Sequence, residues 1–191
     1  RYPVIAEMWR YLTSVTPQEI LAIPLVEDVS ELPDWVPACA RYLVGFRMND
    51  APVSPCKRLS SGNRRLFALG RGMSGWTSAT RAMVAAQVES VRHWKVVEGD
   101  YTTSPNTEAT YFVDPPWRGC GHAGKRYVHS TVDYEALGAW CRSRPGQVIA
   151  VEGVGADWLP FKPLYAAKGG MGRRPIETVV WLGDQKLRAN D

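Results

Sequence analysis

The chain has few of the residues that build disulfide frameworks or metal sites. Its four cysteines are widely separated and form no Cys-x-x-Cys pair: Cys39, Cys56, Cys120 and Cys141. That spacing favours reduced thiols in a cytosolic protein over a set of disulfides. Cys120 and His122 offer two ligands to zinc, but no second pair has ligand spacing. We therefore predict no metal site.

Long apolar runs are also missing. No run approaches the roughly 18 to 20 residues that a membrane-spanning helix needs, and we recognise no secretory signal. The 191 residues are 45% hydrophobic and 22% charged, which is ordinary for a soluble globular protein. We therefore expect one cytoplasmic domain with a substantial core. The net charge of +4 permits nucleic-acid binding without requiring it.

One stretch combines features that suit the binding of a planar base, at residues 111–117. Tyr111, Phe112 and Val113 form a short apolar run, typical of a strand buried on both faces of a parallel sheet. Asp114 then falls at the carboxyl end of that strand, where open α/β sheets bind their ligands. The prolines that follow fix the turn and their carbonyl directions. Trp117 adds a flat aromatic surface beside the carboxylate.

Local signals predict helices and strands along the rest of the chain. Thr16-Pro17-Gln18-Glu19 is a capping box, Thr77-Ser78 caps a later helix, and Ser130-Thr131-Val132-Asp133 caps another, which Gly146 ends. The predicted helices cover about 3–12, 17–22, 35–48 and 78–93, and a segment carrying Leu137, Trp140 and Cys141. The predicted strands cover about 111–113, 147–152, 163–167 and 177–182, and residues 95–101 are predicted to form a strand and a turn.

Three basic segments are predicted to be irregular: 52–76, 119–126 and 168–174. Gly119, Gly121 and Gly124 formally fit Gly-x-Gly-x-x-Gly, and residues 119–125 nearly fit a phosphate loop. Both nucleotide-binding interpretations fail on context, because Arg126 replaces the magnesium-binding Ser or Thr and no apolar helix pattern begins at the last glycine. A basic glycine-rich loop beside the turn is favoured.

Asp-Pro-Pro-Trp at 114–117 resembles the target-base motif of S-adenosylmethionine-dependent methyltransferases that act on the exocyclic amine of adenine. The run 99–182 resembles the later half of Dam-type DNA adenine methyltransferases, particularly phage-encoded ones, and residues 1–12 resemble the helix after their second strand. The resemblance implies an α/β, class I methyltransferase-like (Rossmann-like) fold. Its sheet would be mostly parallel with a C-terminal antiparallel hairpin, in one domain over 1–191 with DNA-recognition elements in 52–76.

The resemblance also implies roles for individual residues. Asp114 and the Pro115 carbonyl would accept hydrogen bonds from the target amine, while Pro116 stiffens the turn and Trp117 stacks on the base. The cofactor-binding residues would be Asp100, Tyr101 and Asp114, with S-adenosylmethionine as cofactor and double-stranded DNA as partner. The candidate DNA-binding residues are Lys125, Arg126, Tyr127, His129, Lys168, Arg173 and Arg174. The expected location is the cytoplasm of a bacterium or a phage-infected host.

The chain departs from the family at the cofactor site. The family binds the methionine part of the cofactor with an aromatic-x-Gly-x-Gly loop after the first strand, and an acid ending the second strand binds the ribose. Neither is present here, so we expect an N-terminally incomplete domain that binds S-adenosylmethionine only with a dissociation constant above roughly 1 mM. Two alternatives stay open, an RNA adenine methyltransferase and a catalytically inactive nucleic-acid-binding domain.

Overall fold

The computed structural model describes residues 2–49, 52–68, 75–118, 131–167 and 176–183. The chain divides into two compact units, Arg1–Gly99 and Asp100–Asp191. Within the described residues the elements are six helices and a mixed sheet of four strands, which confirms the α/β class. That the whole chain forms one methyltransferase domain stays a prediction.

The first unit is built from helices. They are α1 (Pro3–Leu12), α2 (Pro17–Ala22), α3 (Ala38–Arg47), α4 (Ser61–Ala68) and α5 (Ser78–Val91). The first two lie where the sequence predicts them, because their signals are local. The Thr16 hydroxyl accepts a hydrogen bond from the Glu19 amide at 3.2 Å, and the Glu19 carboxylate accepts one from the Thr16 amide at 2.8 Å. This capping box fixes the start of α2.

Two predicted boundaries in the first unit are wrong. Helix α3 begins at Ala38 rather than near Trp35, because Pro37 is its N-cap and the residue before a proline disfavours helical dihedrals. The segment 52–76 is not irregular throughout, since it contains α4. The Ser60 hydroxyl accepts a hydrogen bond from the Asn63 amide at 3.3 Å, so Ser60 caps this helix.

The core of the first unit lies among its helices. Its fully buried side chains include Ile20, Val36, Val44, Met48 and Trp76. The loop before α3 is held from inside by the Arg41 guanidinium, which donates hydrogen bonds to four main-chain carbonyls, those of Val29, Leu32, Pro33 and Val36, at 2.6–3.3 Å. These bonds supplement the main chain, because the Val29 and Pro33 carbonyls also accept hydrogen bonds from the Leu32 and Val36 amides.

The second unit contains the sheet. Its elements are β1 (Ala109–Val113), α6 (Tyr134–Ser143), β2 (Gly146–Gly153), β3 (Lys162–Ala167) and β4 (Ile176–Leu182). The strand order is β1-β2-β4-β3. Strands β1 and β2 are parallel, with Val113 opposite Ala150, and β4 is antiparallel to both β2 and β3. The predicted C-terminal antiparallel hairpin is confirmed. The described strands form a mixed sheet rather than a mostly parallel one.

Three further predictions in the second unit and just before it are corrected. Residues 95–101 form no strand, whereas the predicted turn does occur, with the Asp100 carboxylate capping a 3₁₀ turn at Tyr101–Thr103. Strand β1 is not buried on both faces, because Phe112 is 66% exposed and β2 is the only partner of β1 among the described strands. Gly146 does not end α6, which stops at Ser143; it begins β2 with φ +86°.

Helix α6 is capped by Asp133 alone within the described residues, its carboxylate accepting a hydrogen bond from the Ala136 amide at 2.9 Å. The helix packs Leu137 and Cys141 against Val148 and Ala150 of β2, and Trp158 and Leu159 complete this core. No helix in the described part of the chain is long and apolar enough to cross a membrane.

Candidate functional site

Residues 114–118, which we call the motif turn, leave the carboxyl end of β1. The Trp117 indole N–H donates a hydrogen bond to the Asp114 carboxylate at 3.1 Å. Asp114 is exposed and Trp117 is half-buried. The structure therefore brings together the acid and the aromatic ring that the sequence singles out, with one carboxylate oxygen bound to the indole.

The motif turn is attached to α6 through Tyr134. The Tyr134 hydroxyl donates a hydrogen bond to the Pro116 carbonyl, directly before Trp117. Burial raises the pKa of the Tyr134 phenol, the Glu152 carboxylate raises this pKa further, and the Arg118 guanidinium opposes both. The phenol therefore keeps its proton, and so its ability to donate, throughout the neutral range.

The motif turn is attached to β2 through Glu152, whose side chain is completely buried. Its Oε2 accepts hydrogen bonds from the Arg118 amide at 3.0 Å and from the Trp158 indole at 3.1 Å. Its Oε1 accepts a third from the Gly153 amide at 2.8 Å. All three neighbours are N–H donors, which a carboxylate satisfies because it only accepts.

The Arg118 side chain lies on the outside of this arrangement. Its guanidinium forms an ion pair with Asp157 at 2.8 Å and lies 5.7 Å from the centre of the Tyr134 ring. The two charged side chains are 52% and 74% exposed. An exposed ion pair of this kind contributes at most about 1 kcal/mol, so the buried carboxylate is the stronger attachment of the turn.

The predicted adenosine-binding residues lie at the start of the second unit. The Asp100 carboxylate accepts hydrogen bonds from the Thr102 amide at 3.1 Å and the Thr102 hydroxyl at 2.9 Å. The Tyr101 ring packs edge-on against Trp140 of α6 at 5.4 Å, and Tyr111 of β1 packs on the same Trp140 at 5.6 Å. Tyr101 is thus joined through α6 to strand β1, which ends directly before Asp114.

The chemistry that these groups offer is hydrogen-bond acceptance and stacking. The exposed Asp114 carboxylate and the Pro115 carbonyl can accept hydrogen bonds from an amine, and the half-buried Trp117 ring can stack on a planar group. No cluster of His, Cys, Asp or Glu able to hold a metal occurs in the described ranges. Among the described cysteines of the second unit, Cys141 is buried with its pKa raised by burial to about 11, which makes it a poor nucleophile.

The predicted DNA-binding residues lie outside the described residues, and their roles stay predictions: Lys125, Arg126, Tyr127, His129, Lys168, Arg173 and Arg174. Cys120 and His122 lie outside them as well.

Sequence reasoning missed Tyr134 and Glu152, whose side chains hold the motif turn, and Arg118, whose amide binds Glu152. A signal for Glu152 was available, because it ends an apolar strand in the same way as Asp114, and parallel neighbours end at the same edge of a sheet. For Tyr134 the sequence carries no such signal, since its partner is a main-chain carbonyl far along the chain.

Comparison of the chain with known proteins found no matching family model, no matching curated protein and no matching solved structure.

Proposed function

We propose that the chain carries the target-base site of an S-adenosylmethionine-dependent methyltransferase that acts on the exocyclic amine of adenine in DNA. The observation that supports this most is the motif turn itself. An exposed acid, two prolines and a half-buried tryptophan follow a strand that pairs in parallel with its neighbour, and the acid and the indole are in contact at 3.1 Å.

The class I methyltransferase fold belongs to the same proposal. It is supported by the parallel pair β1 and β2, by the helix between them, and by the antiparallel hairpin that follows. Strand β1 is the last strand of the described sheet in the order β1-β2-β4-β3, so its other edge pairs with no described strand.

Within this proposal the protein acts by positioning. S-adenosylmethionine supplies a methyl group that is already activated for displacement. The target adenine leaves the duplex at a cost of roughly a few kcal/mol, and stacking on Trp117 recovers about 1–3 kcal/mol. Asp114 and the Pro115 carbonyl would accept hydrogen bonds from the amine, which would direct the nitrogen lone pair at the methyl carbon. Asp100 and Tyr101 would contact the adenosine part of the cofactor.

A test of the proposal is the variant Asp114→Ala. Losing a hydrogen bond to a charged group costs about 1.5–3 kcal/mol, so methylation of adenine in DNA should fall at least about tenfold while DNA binding persists. Glu135→Ala is the matched control, because it removes one exposed acid from the first turn of α6 in the same unit. Incorporation of a labelled methyl group from S-adenosylmethionine into DNA is the measurement. Equal activity of the two variants would contradict the assignment of Asp114.

A second candidate function is a nucleic-acid-binding domain without methyltransferase activity. One observation favours it: the Asp100 carboxylate is already bound to the backbone and side chain of Thr102, where the proposal needs it for the cofactor. Calorimetric titration with S-adenosylmethionine separates the two functions. Specific binding at millimolar cofactor that Tyr101→Ala weakens supports the enzyme, whereas DNA binding with no binding of millimolar cofactor supports the inactive domain. Parallel assays on DNA and RNA then identify the nucleic acid.

A further inference from the structure

We propose that Glu152 and Tyr134 are positioning residues that together set the orientation of the Trp117 ring at the target-base site. The inference deepens the proposed function and rests on it for its catalytic meaning. Its geometric part concerns only the motif turn and the two side chains that hold it.

The two attachments lie on either side of Trp117 in the chain. The Tyr134 hydroxyl binds the Pro116 carbonyl before it, and Glu152 Oε2 binds the Arg118 amide after it at 3.0 Å. A residue whose flanking peptides are both fixed has little freedom in its own backbone dihedrals, so its side chain leaves the backbone in one direction. The indole is then close enough to bind the Asp114 carboxylate.

The attachments come from elements that are themselves fixed. Glu152 lies on β2, opposite Val179 of β4, and it is completely buried. Tyr134 is the first residue of α6, which Asp133 caps and which packs on β2 through Leu137 and Cys141. The motif turn has no regular secondary structure of its own, but its attachments to β2 and α6 hold it in place, as a binding site requires.

The chemistry at residue 152 requires a carboxylate. Three N–H groups point at its two oxygens, two of them at Oε2. In Glu152→Gln the amide has one acceptor oxygen, and its NH₂ group must face an N–H donor. If that NH₂ faces the Arg118 amide, the attachment of the motif turn is lost. If it faces the Gly153 amide, the two N–H groups repel each other directly beside residue 152, which holds the motif turn.

The test measures the Trp117 indole N–H itself. The protein is labelled with ¹⁵N-tryptophan, and the signal of Trp117 among the eight tryptophans is assigned from Trp117→Phe. We expect hydrogen exchange of this N–H to become about tenfold faster in Glu152→Gln and in Tyr134→Phe, the factor that corresponds to the loss of one hydrogen bond. Gln147→Glu is the matched control, because it makes the reverse exchange of groups on the same strand.

The loss of one hydrogen bond predicts a change of about tenfold in the exchange rate of the Trp117 indole N–H. A rate within about twofold of the wild type in both variants would overturn the inference. If Glu152→Gln does not fold, Tyr134→Phe decides alone, because it removes only a hydroxyl from a half-buried ring. These measurements need neither cofactor nor DNA. Faster exchange in a chain that methylates neither DNA nor RNA would therefore refute the proposed function while the positioning role stands.

A kinetic measurement tests the catalytic meaning. In a chain that methylates DNA, Glu152→Gln should lower kcat about tenfold and change KM for DNA by less than about twofold, because Asp114 and the DNA-binding residues are untouched. A residue with a purely structural role would lower the amount of folded enzyme without this split. An unchanged kcat per folded molecule would overturn the catalytic part.

Discussion

At the scale of single residues, two buried side chains of the second unit differ in how their surroundings treat a negative charge. Glu152 is surrounded by three N–H donors, so its buried charge is compensated by hydrogen bonds. Cys141 is 1% exposed in the apolar core between α6 and β2, and burial raises the pKa of its thiol to about 11. A negative charge is therefore stable at the first position and unfavourable at the second.

Because the pKa of the Cys141 thiol is raised in the folded chain, the free energy of unfolding should depend on pH. Below about pH 8.5 Cys141 is neutral in both the folded and the unfolded chain, and its contribution is fully present. As the pH rises from there to about 11, the unfolded chain releases the proton while the folded one keeps it. The free energy of unfolding should then fall by up to about 1.4 kcal/mol per pH unit.

Denaturant unfolding at a series of pH values between 8 and 11 checks this expectation. Cys141→Ala is the control, because it lacks the thiol but keeps the other groups that ionise in this range. Among them is Tyr11, whose pKa burial raises to about 12. The difference between wild type and variant isolates Cys141. Curves that run parallel over the whole range would contradict the assignment.

At the scale of elements, the connection from α6 to β2 depends on Gly146. Its φ of +86° is unfavourable for residues with a side chain, and a Cβ there would meet the Ala109 amide nitrogen at 2.8 Å. Strand β1 begins at Ala109, opposite Gly146, so the glycine permits the two strands to pair from their first residues. The conformation of this one residue thus affects the register that places Asp114 beside the end of β2.

Three glycine-to-alanine variants separate the cost of the positive φ at Gly146 from the cost of the close backbone contact. Gly146→Ala combines an unfavourable φ with a close backbone contact and should cost more than the roughly 1 kcal/mol expected for the dihedral alone. Gly155→Ala has φ +92° with open space around it and should cost about that 1 kcal/mol. Gly62→Ala lies in α4 with open space and should stabilise by about 0.5–1 kcal/mol.

Denaturant unfolding of the three variants gives the comparison, with the wild type as reference. The order of stability should be Gly62→Ala, wild type, Gly155→Ala and Gly146→Ala. A Gly146→Ala protein as stable as Gly155→Ala would show that the contact with Ala109 relaxes at no cost.

The elements also show which parts of the fold the sequence could predict. Helices α1 and α2 follow from short-range signals, a proline at the first turn and a capping box, and both occur as predicted. The strand predicted at 95–101 fails because β-branched residues favour a strand only when another strand pairs with them. Val97 is 76% exposed, and the chain turns at Asp100 instead.

The candidate site also has one part that the sequence could predict and another part that it could not. Asp114 and Trp117 are three residues apart, so their proximity could be predicted from the turn alone. Glu152 reaches the motif turn only because β1 and β2 pair in one particular register over an intervening helix. The Tyr134 hydroxyl reaches the Pro116 carbonyl only if, in addition, the first turn of α6 packs on the sheet close to the carboxyl end of β1. Neither condition can be read from spacing along the chain.

At the scale of the whole molecule, the described residues form two units that each have a core of their own. The core of the first unit is helical, with Trp76 among its largest buried side chains. The core of the second unit lies between β2, α6 and the residues around Trp158. The motif turn and all the side chains that hold it belong to the second unit.

The net charge of the chain is +4, and the salt dependence of DNA binding tests whether its basic residues contact phosphates. If Lys125, Arg126, Arg173 and Arg174 contact phosphates, neutralising each should weaken binding similarly for all DNA sequences. Each change should also flatten the slope of log K against log salt by about 0.9, because one fewer counterion is released.

Fluorescence-anisotropy titrations at several salt concentrations provide the slopes. Neutralising the exposed residues Lys95 and Lys162 gives a control in which the net charge falls but the slope should stay the same. An unchanged slope in the four-fold variant would assign those basic residues to a solvated surface.

The contact between the Trp117 indole and the Asp114 carboxylate has a thermodynamic consequence. Both side chains lose rotational freedom when the protein folds, before any planar ligand reaches them. The entropy of ordering the site is therefore lost once, on folding, and does not recur at each encounter. A ligand that docks on this pair meets a surface already in its bound form, so its association should be governed by the enthalpy of stacking and by the release of water.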